Sequence, residues 1–205
     1  MAYSAVPLVA TGDLWTAASQ NTYLRDNFAA HEGTIGNLGI VQLPVGSAIL
    51  PISAITPMAL TQIESTAASP KVNGRIAQAD AAADEWLQWE FMVPRFYDSG
   101  PILWVFYYMD SAAAGNVVFA SRVACMSDGD AGMPAKAYAA VNTSTTAVPG
   151  VAGTLDKAVV TLTNDDSMAA SDICNIGLYR DADSGSDTAT GDAIIKYAFF
   201  VFTAG

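Results

Sequence analysis

The residues best suited to bind a metal ion lie in an acidic stretch near the C terminus. Asp181, Asp183, Asp187 and Asp192 are separated mainly by Ser, Gly, Thr and Ala. Carboxylate oxygens on a flexible loop suit Ca²⁺, and the spacing is similar to that of an EF-hand loop. However, Gly185 stands where a ligand is needed, and the last position holds Asp instead of Glu. We therefore interpret Asp181–Asp192 first as an acidic turn between two strands, with a calcium loop as the alternative and no cofactor predicted.

A second group combines a carboxylate with two tryptophans. Glu90 lies on a predicted strand and could share a groove with Trp86 and Trp104, whose rings could bind sugars. Aromatic residues of a β-domain lie more often in the core or at a subunit interface, so carbohydrate binding is the alternative. Glycoside hydrolysis needs two acids facing each other across a cleft, and the sequence indicates no such pair.

No serine or cysteine of the predicted β-domain has a histidine nearby that could act as its general base. The single histidine, His31, lies at the end of a predicted helix, away from the β-domain, where the helix dipole favours it. A Ser-His triad cannot be assembled inside the β-domain, and phosphate-binding glycine loops and Cys/His metal spacings are absent from the sequence. We therefore predict that the protein is not an enzyme.

The two cysteines, Cys125 and Cys174, each lie inside an apolar, strand-like run. We interpret them as buried free thiols that act as small hydrophobic residues. A disulfide between neighbouring strands is the alternative. It ranks second because two cysteines in 205 residues do not make a disulfide scaffold.

The N-terminal residues 1–36 are predicted to form an extended arm followed by one short helix. Apolar residues recur at steps of three and four from residue 11 to residue 30, and Gly33 and Gly36 end the helix. A lone helix of this length is marginal in water, so it must pack on its own domain or on copies of itself. The predicted interface is an apolar face with one polar residue that can fix register, and it consists of Leu14, Trp15, Asn21, Leu24 and Phe28.

The rest of the chain predicts strands. Residues 37–83 hold short apolar pieces punctuated by proline, which indicate a strap or edge strands, with a turn at Asn73-Gly74. It is left open whether they join the sandwich. From residue 84 to 205, strands are predicted at Trp86–Val93, Ile102–Met109, Asn116–Met126, Lys136–Val141, Leu155–Thr163, Asp172–Tyr179 and Ala193–Thr203. Long strands with little helix between them predict a mainly β fold, an antiparallel jelly-roll-like β-sandwich.

Composition narrows the classes of partner. The chain has 9 basic and 20 acidic residues and a net charge of −11, which disfavours binding to nucleic acid. The longest apolar run, Ile102–Met109, is too short to span a bilayer, and the first residues lack the basic segment of a signal peptide. Only 14% of residues are charged while 52% are hydrophobic, which predicts a surface rich in Ala, Gly, Ser and Thr. The 20 residues of Trp, Tyr and Phe also suggest that part of the surface is covered by other subunits.

Two stretches resemble virion proteins of tailed bacteriophages. Trp15-Thr16-Ala17-Ala18 followed by residues 21–27 resembles the N-terminal segment of tail and fibre proteins. Residues 89–100, an aromatic strand followed by Pro94 and Tyr97-Asp98-Ser99-Gly100, resemble a signature of virion β-domains. The resemblance implies a structural virion protein but not which one. The short chain favours a capsid decoration (cement) or head-fibre subunit over a full-length tail fibre, which needs a long shaft. The resemblance also implies a homotrimer that contacts the major capsid protein or other virion proteins, is made in the host cytoplasm and resides on the virion. The alternative is a tail-fibre-like or carbohydrate-binding module that recognises a host surface.

Overall fold

The computed structural model describes residues 38–52 and 55–205. The predicted arm and helix, His31 and the predicted interface of Leu14, Trp15, Asn21, Leu24 and Phe28 lie outside the described residues, so that interface stays a prediction. Residues 39–205 form one compact unit. Two β-sheets pack face to face in this unit, which confirms the predicted mainly β sandwich.

Sheet A has six strands in the order β3-β4-β11-β6-β9, and β1 also pairs with β11. The strands β6 and β11 are the longest in the described residues and form the centre of the sheet. The bounds are β1 Leu38–Pro44, β3 Ala59–Glu64, β4 Asn73–Ala79, β6 Tyr97–Met109, β9 Asp156–Thr161 and β11 Ala193–Ala204.

Sheet B has five strands in the order β2-β5-β10-β7-β8. Only β2 runs parallel to its neighbour, β5, while the other pairs in this sheet are antiparallel. The bounds are β2 Thr56–Pro57, β5 Glu85–Met92, β7 Asn116–Met126, β8 Asn142–Ala147 and β10 Ile173–Arg180, and 3₁₀ turns lie at Val45–Ser47 and Met133–Ala135. Among the described residues, no helix has the length and apolar character needed to cross a bilayer.

The core lies between the sheets because side chains alternate along each strand. On β6, Leu103, Val105 and Tyr107 are fully buried and point inward, while the residues between them are only partly buried. On β5 the same alternation buries Leu87 and Trp89. Trp89 also donates its indole N–H to the backbone oxygen of Pro44, so the buried ring keeps a hydrogen-bond partner.

Residues between 38 and 79 contribute strands to both sheets. β1, β3 and β4 lie in sheet A and β2 lies in sheet B, which answers the question left open by the sequence. Two local predictions were wrong. Asn73-Gly74 begins β4 instead of forming a turn, and the strand expected at Lys136–Val141 lies at Asn142–Ala147 instead.

The prediction of two free thiols was also wrong. Cys125 on β7 lies directly opposite Cys174 on β10, and the two form a disulfide across neighbouring strands. Both residues belong to the buried core. The bond therefore joins two strands of sheet B from the inside of the sandwich.

Candidate functional site

Five partly exposed aromatic rings lie on the outer face of sheet A. They alternate with core residues on the two central strands, so they point away from the sandwich interior. We call these residues the aromatic strip, and they are Trp104, Phe106, Tyr108, Tyr197 and Phe199. The sequence predicted Ile102–Met109 as a central strand with apolar residues on both faces, but in the described residues only its inner face is fully buried.

Three rings of the strip pack against one another across β6 and β11. Phe106 and Phe199 meet edge to face with centroids 5.6 Å apart, and Tyr197 stacks on Phe199 at 4.8 Å. Lys157 on the adjacent strand β9 lies 4.3 Å from the ring centroid of Trp104, a cation–π contact. These contacts fix the orientation of the rings, so the strip offers a preformed and largely apolar surface.

Polar groups border the strip. The hydroxyl of Tyr197 donates to Oε1 of Gln42 on β1 at 3.0 Å. Thr161 on β9 and Thr203 on β11 are exposed. A flat apolar surface with hydroxyl and amide groups at its edges can stack on an apolar ligand face and hydrogen-bond its substituents.

Next to Tyr197 the edge of β11 opens into a small cavity, which we call the junction. β4 pairs with β11 only at Ala193–Ile195, and a β-bulge follows at Lys196, which has no partner in the pairing register of β6. β1 also pairs with β11, so two strands share the same central strand and leave a gap. The junction has a volume of about 240 Å³ and is lined by Val45, Gly46, Gly74, Arg75, Lys196 and Tyr197.

A second cavity adjoins the junction on the hairpin of β3 and β4. Its volume is about 210 Å³, and Val45 and Arg75 line both cavities. Thr61 and Gln62 supply polar groups to the second cavity, while Leu60 gives it an apolar wall. None of the residues that line the two cavities was predicted from the sequence to belong to a site. The available signal was Lys196, a lone charge within the otherwise apolar strand β11.

The outer face of sheet B holds a separate aromatic cluster. Trp86 stacks on Tyr179 with centroids 4.2 Å apart, and Tyr138 lies 6.3 Å from Trp86. Gly177 makes room for this packing, since a Cβ there would lie 2.9 Å from the Trp86 ring. Burial raises the pKa of Tyr138, whose hydroxyl donates to Gln88 at 2.6 Å. Nε of Arg122 is buried without a hydrogen-bond partner in the described part of the chain.

An acidic trio lies at one end of this cluster. The carboxylates of Asp84, Asp181 and Asp183 each place an oxygen within 4.8 Å of the others. Burial, followed by a hydrogen bond with Asp183 and the negative charge of Asp84, raises the pKa of Asp181 to about 6. Three carboxylates are fewer than the six to eight oxygen ligands that Ca²⁺ takes.

The other two aspartates of the predicted calcium loop bind protein groups instead. The side chain of Asp187 is buried and accepts two hydrogen bonds from the guanidinium of Arg180 and one from the backbone N–H of Val118. Asp192 accepts hydrogen bonds from Gln78 and from the backbone N–H of Ala81. The EF-hand-like set therefore does not converge, and the acidic turn is the better description of this loop.

The structure separates the predicted sugar groove. Glu90 and Trp86 lie on the outer face of sheet B, whereas Trp104 lies on the outer face of sheet A. Alternation along Trp86–Val93 separates Trp86 and Glu90 from the face of Leu87 and Trp89, but it does not say which sheet a strand joins. The prediction that these three residues share one groove was wrong.

Comparisons with known proteins add only distant likenesses. No protein-family profile matches the chain, and no curated protein matches it. Among solved structures, a carbohydrate-binding module of the β-sandwich superfamily is 9% identical with a TM-score of 0.36, covering 84% of this chain and 58% of that one. CBM27-1 of Caldicellulosiruptor saccharolyticus, solved with mannohexaose, is 9% identical with a TM-score of 0.39, covering 78% and 96%. The enzymatically active domain of tailspike protein 4 of bacteriophage CBA120 is 10% identical with a TM-score of 0.34, covering 81% and 19%.

Proposed function

We propose that the protein is a non-catalytic module that binds a carbohydrate on the outer face of sheet A. The observation that carries this proposal is the aromatic strip, five partly exposed rings of which Phe106, Tyr197 and Phe199 pack on one another. Trp104, Phe106 and Tyr108 occupy alternate positions of one strand and cover about 14 Å of the sheet. A surface of this length suits an oligosaccharide better than a single sugar.

The chemistry of the strip supports a sugar ligand. A pyranose presents C–H groups on its faces, which pack on aromatic rings, and hydroxyl groups at its rim, which need donors and acceptors. Gln42 and Thr161 offer such groups beside the strip. The trio of Asp84, Asp181 and Asp183 lies in the segments that precede β5 and follow β10, at an end of sheet B, and does not belong to this surface.

A glycan array followed by calorimetry on the full chain tests the proposal. We expect at least one oligosaccharide to bind, and Trp104→Ala to weaken its binding about tenfold, the loss of one good aromatic contact. Trp86→Ala is the matched control, because it removes a tryptophan side chain from the outer face of sheet B instead of sheet A. Absence of any bound glycan, or an equal loss in both variants, refutes the proposal. The melting temperature of each variant shows whether it is folded.

A second candidate function is assembly through the same face. The strip continues into exposed apolar residues on its flanks, with Leu38 41%, Ile40 52% and Val159 37% exposed. Contiguous exposed apolar surface often marks a protein interface. The role of a capsid decoration or head-fibre subunit, in a homotrimer on a virion, rests on the sequence resemblance and remains a proposal of this second kind.

Native mass and sedimentation measurements decide the second candidate. Assembly through this face predicts an oligomer that Ile40→Asp dissociates, because the substitution places a charge in the contact. The matched control is Ile52→Asp, since Ile52 is fully exposed outside the strands. A chain that stays monomeric at all concentrations tested would rule this candidate out.

A further inference from the structure

We propose that the junction beside the aromatic strip binds an oxoanion, and that the carbohydrate ligand is therefore an acidic saccharide carrying carboxylate or sulfate groups. The inference deepens the proposed function and rests on it for the saccharide. The oxoanion site itself rests on the junction alone.

Two cations line the junction. Arg75 lines both cavities, and Lys196 lines the larger one. Lys196 lies at a β-bulge, a feature that turns a side chain away from the regular alternation of the strand. The end of its side chain lies beside Gly74, where a Cβ would be 2.8 Å from Nζ. Gly46 lies against Arg75 in the same way, at 3.1 Å from Cδ.

Two basic residues that line one cavity have no carboxylate among the described residues to neutralise them. In the described ranges, three basic residues form an ion pair, namely Lys71, Lys136 and Arg180, and the other five do not. What sets Arg75 and Lys196 apart from the other unpaired cations is that both line the junction. Neither Arg75 nor Lys196 has a carboxylate within ion-pair distance there. Two like charges on one cavity repel each other, and an oxoanion between them would remove that repulsion and gain charge-assisted hydrogen bonds.

The junction is continuous with the proposed sugar surface. Tyr197 lines the junction and also stacks on Phe199 within the aromatic strip. A sugar on the strip can therefore direct a ring substituent toward Arg75 and Lys196. Thr61 and Gln62 in the second cavity add neutral hydrogen-bonding groups around the same arginine. The two features together select a ligand that has both an apolar ring face and a negative substituent.

Titration of the ¹⁵N-labelled full chain with sodium sulfate, at ionic strength held constant with sodium chloride, tests the oxoanion site. We expect saturable shifts of the amide signals of Gly46, Gly74 and Tyr197. Arg75→Gln and Lys196→Gln should each weaken sulfate binding about tenfold, which corresponds to about 1.4 kcal/mol. Lys71→Gln is the matched control, because Lys71 lies just before β4, the strand of Arg75, but forms an ion pair with Glu64. Absence of saturable shifts, or an equal loss in the control, overturns the oxoanion site.

A second measurement separates the saccharide from the anion. Short oligogalacturonates and sulfated oligosaccharides are compared with neutral galactose oligomers of equal length. Short probes are used because the net negative charge of the protein repels long polyanions. Preference for an acidic probe that Arg75→Gln abolishes supports the inference. Equal binding of neutral and acidic probes, unchanged in Arg75→Gln, overturns the acidic specificity and leaves carbohydrate binding intact. Sulfate binding without any saccharide binding supports the oxoanion site and overturns the proposed function.

Discussion

Replacing Asp187 by alanine should destabilise the fold more than any surface substitution. The Arg180 and Asp187 side chains are 0% and 2% exposed and are joined at 2.6 Å. The guanidinium also donates to the backbone oxygens of Ala189 and Gly191. Asp187→Ala would leave this cation buried without its counter-charge. Removal of one partner of a buried ion pair typically costs about 3–5 kcal/mol.

The structure narrows this range. Two carbonyl acceptors remain for Arg180, which favours the lower end, about 3 kcal/mol. The backbone N–H of Val118 loses its acceptor, which adds about 1 kcal/mol. The expected loss is therefore about 4 kcal/mol, or a decrease in melting temperature of about 8–16 °C for a domain of this size. Urea unfolding and a thermal scan of both proteins at neutral pH measure it.

Two control variants identify the cause. Arg180→Met combined with Asp187→Leu removes both charges, and it should recover at least half of the loss because no charge remains buried. Glu64→Gln breaks the exposed pair with Lys71 and should cost less than about 1 kcal/mol. If Asp187→Ala unfolds within about 1 kcal/mol of the wild type, the buried pair does not hold the acidic turn and the reasoning is refuted.

Two further predictions concern pH and redox state. The pKa of Asp181 is about 6 in the folded chain against 3.8 for an ordinary aspartate. Between these pH values the folded state binds more protons than the unfolded state, so the free energy of unfolding falls as pH rises through this window. Asp181→Asn should therefore melt above the wild type at pH near 7 and match it at pH near 4, and an equal difference at both pH values would contradict this cause. The Cys125–Cys174 bond closes a loop with a sequence separation of 49, so its removal by Cys125→Ala with Cys174→Ala should cost about 4 kcal/mol. A reductant should lower the melting temperature of the wild type but not of this variant, and a wild type insensitive to reductant under unfolding conditions would argue against the bond.

Local sequence patterns predicted the strands of the later part of the chain well. Alternation at Trp86–Val93 and the apolar run Ile102–Met109 correspond to β5 and to most of β6. A turn was predicted at Asn73-Gly74 because Asn-Gly is common in hairpin turns. The hairpin of β3 and β4 turns earlier in the chain, and the backbone N–H of Ser65 donates to the backbone oxygen of Val72 where the turn closes. Tertiary pairing with β3 draws Asn73 and Gly74 into a strand.

The candidate site could be predicted only in part, because it depends on pairing between distant strands. The outward direction of Trp104 does not follow from the sequence, because Ile102–Met109 is apolar at every position, and its neighbours Tyr197 and Phe199 come from a strand much later in the chain. The junction of Arg75 and Lys196 arises where β4 and β1 share one edge of β11, and no local pattern encodes that arrangement. The disulfide was missed for the same reason, since the register of β7 and β10 brings the cysteines together.

The position of the last two strands has a consequence for how the polypeptide is made. β10 is the middle strand of sheet B, and β11 lies at the centre of sheet A with β1, β4 and β6 as neighbours. A chain in which β10 and β11 have not yet been synthesised lacks the strand that each sheet is built around. The strands made before them then keep unpaired edges, and such long-range pairing is slow and exposed to aggregation. Both sheets are therefore completed only once β11 has been made, and a variant truncated before Ile173 should be insoluble.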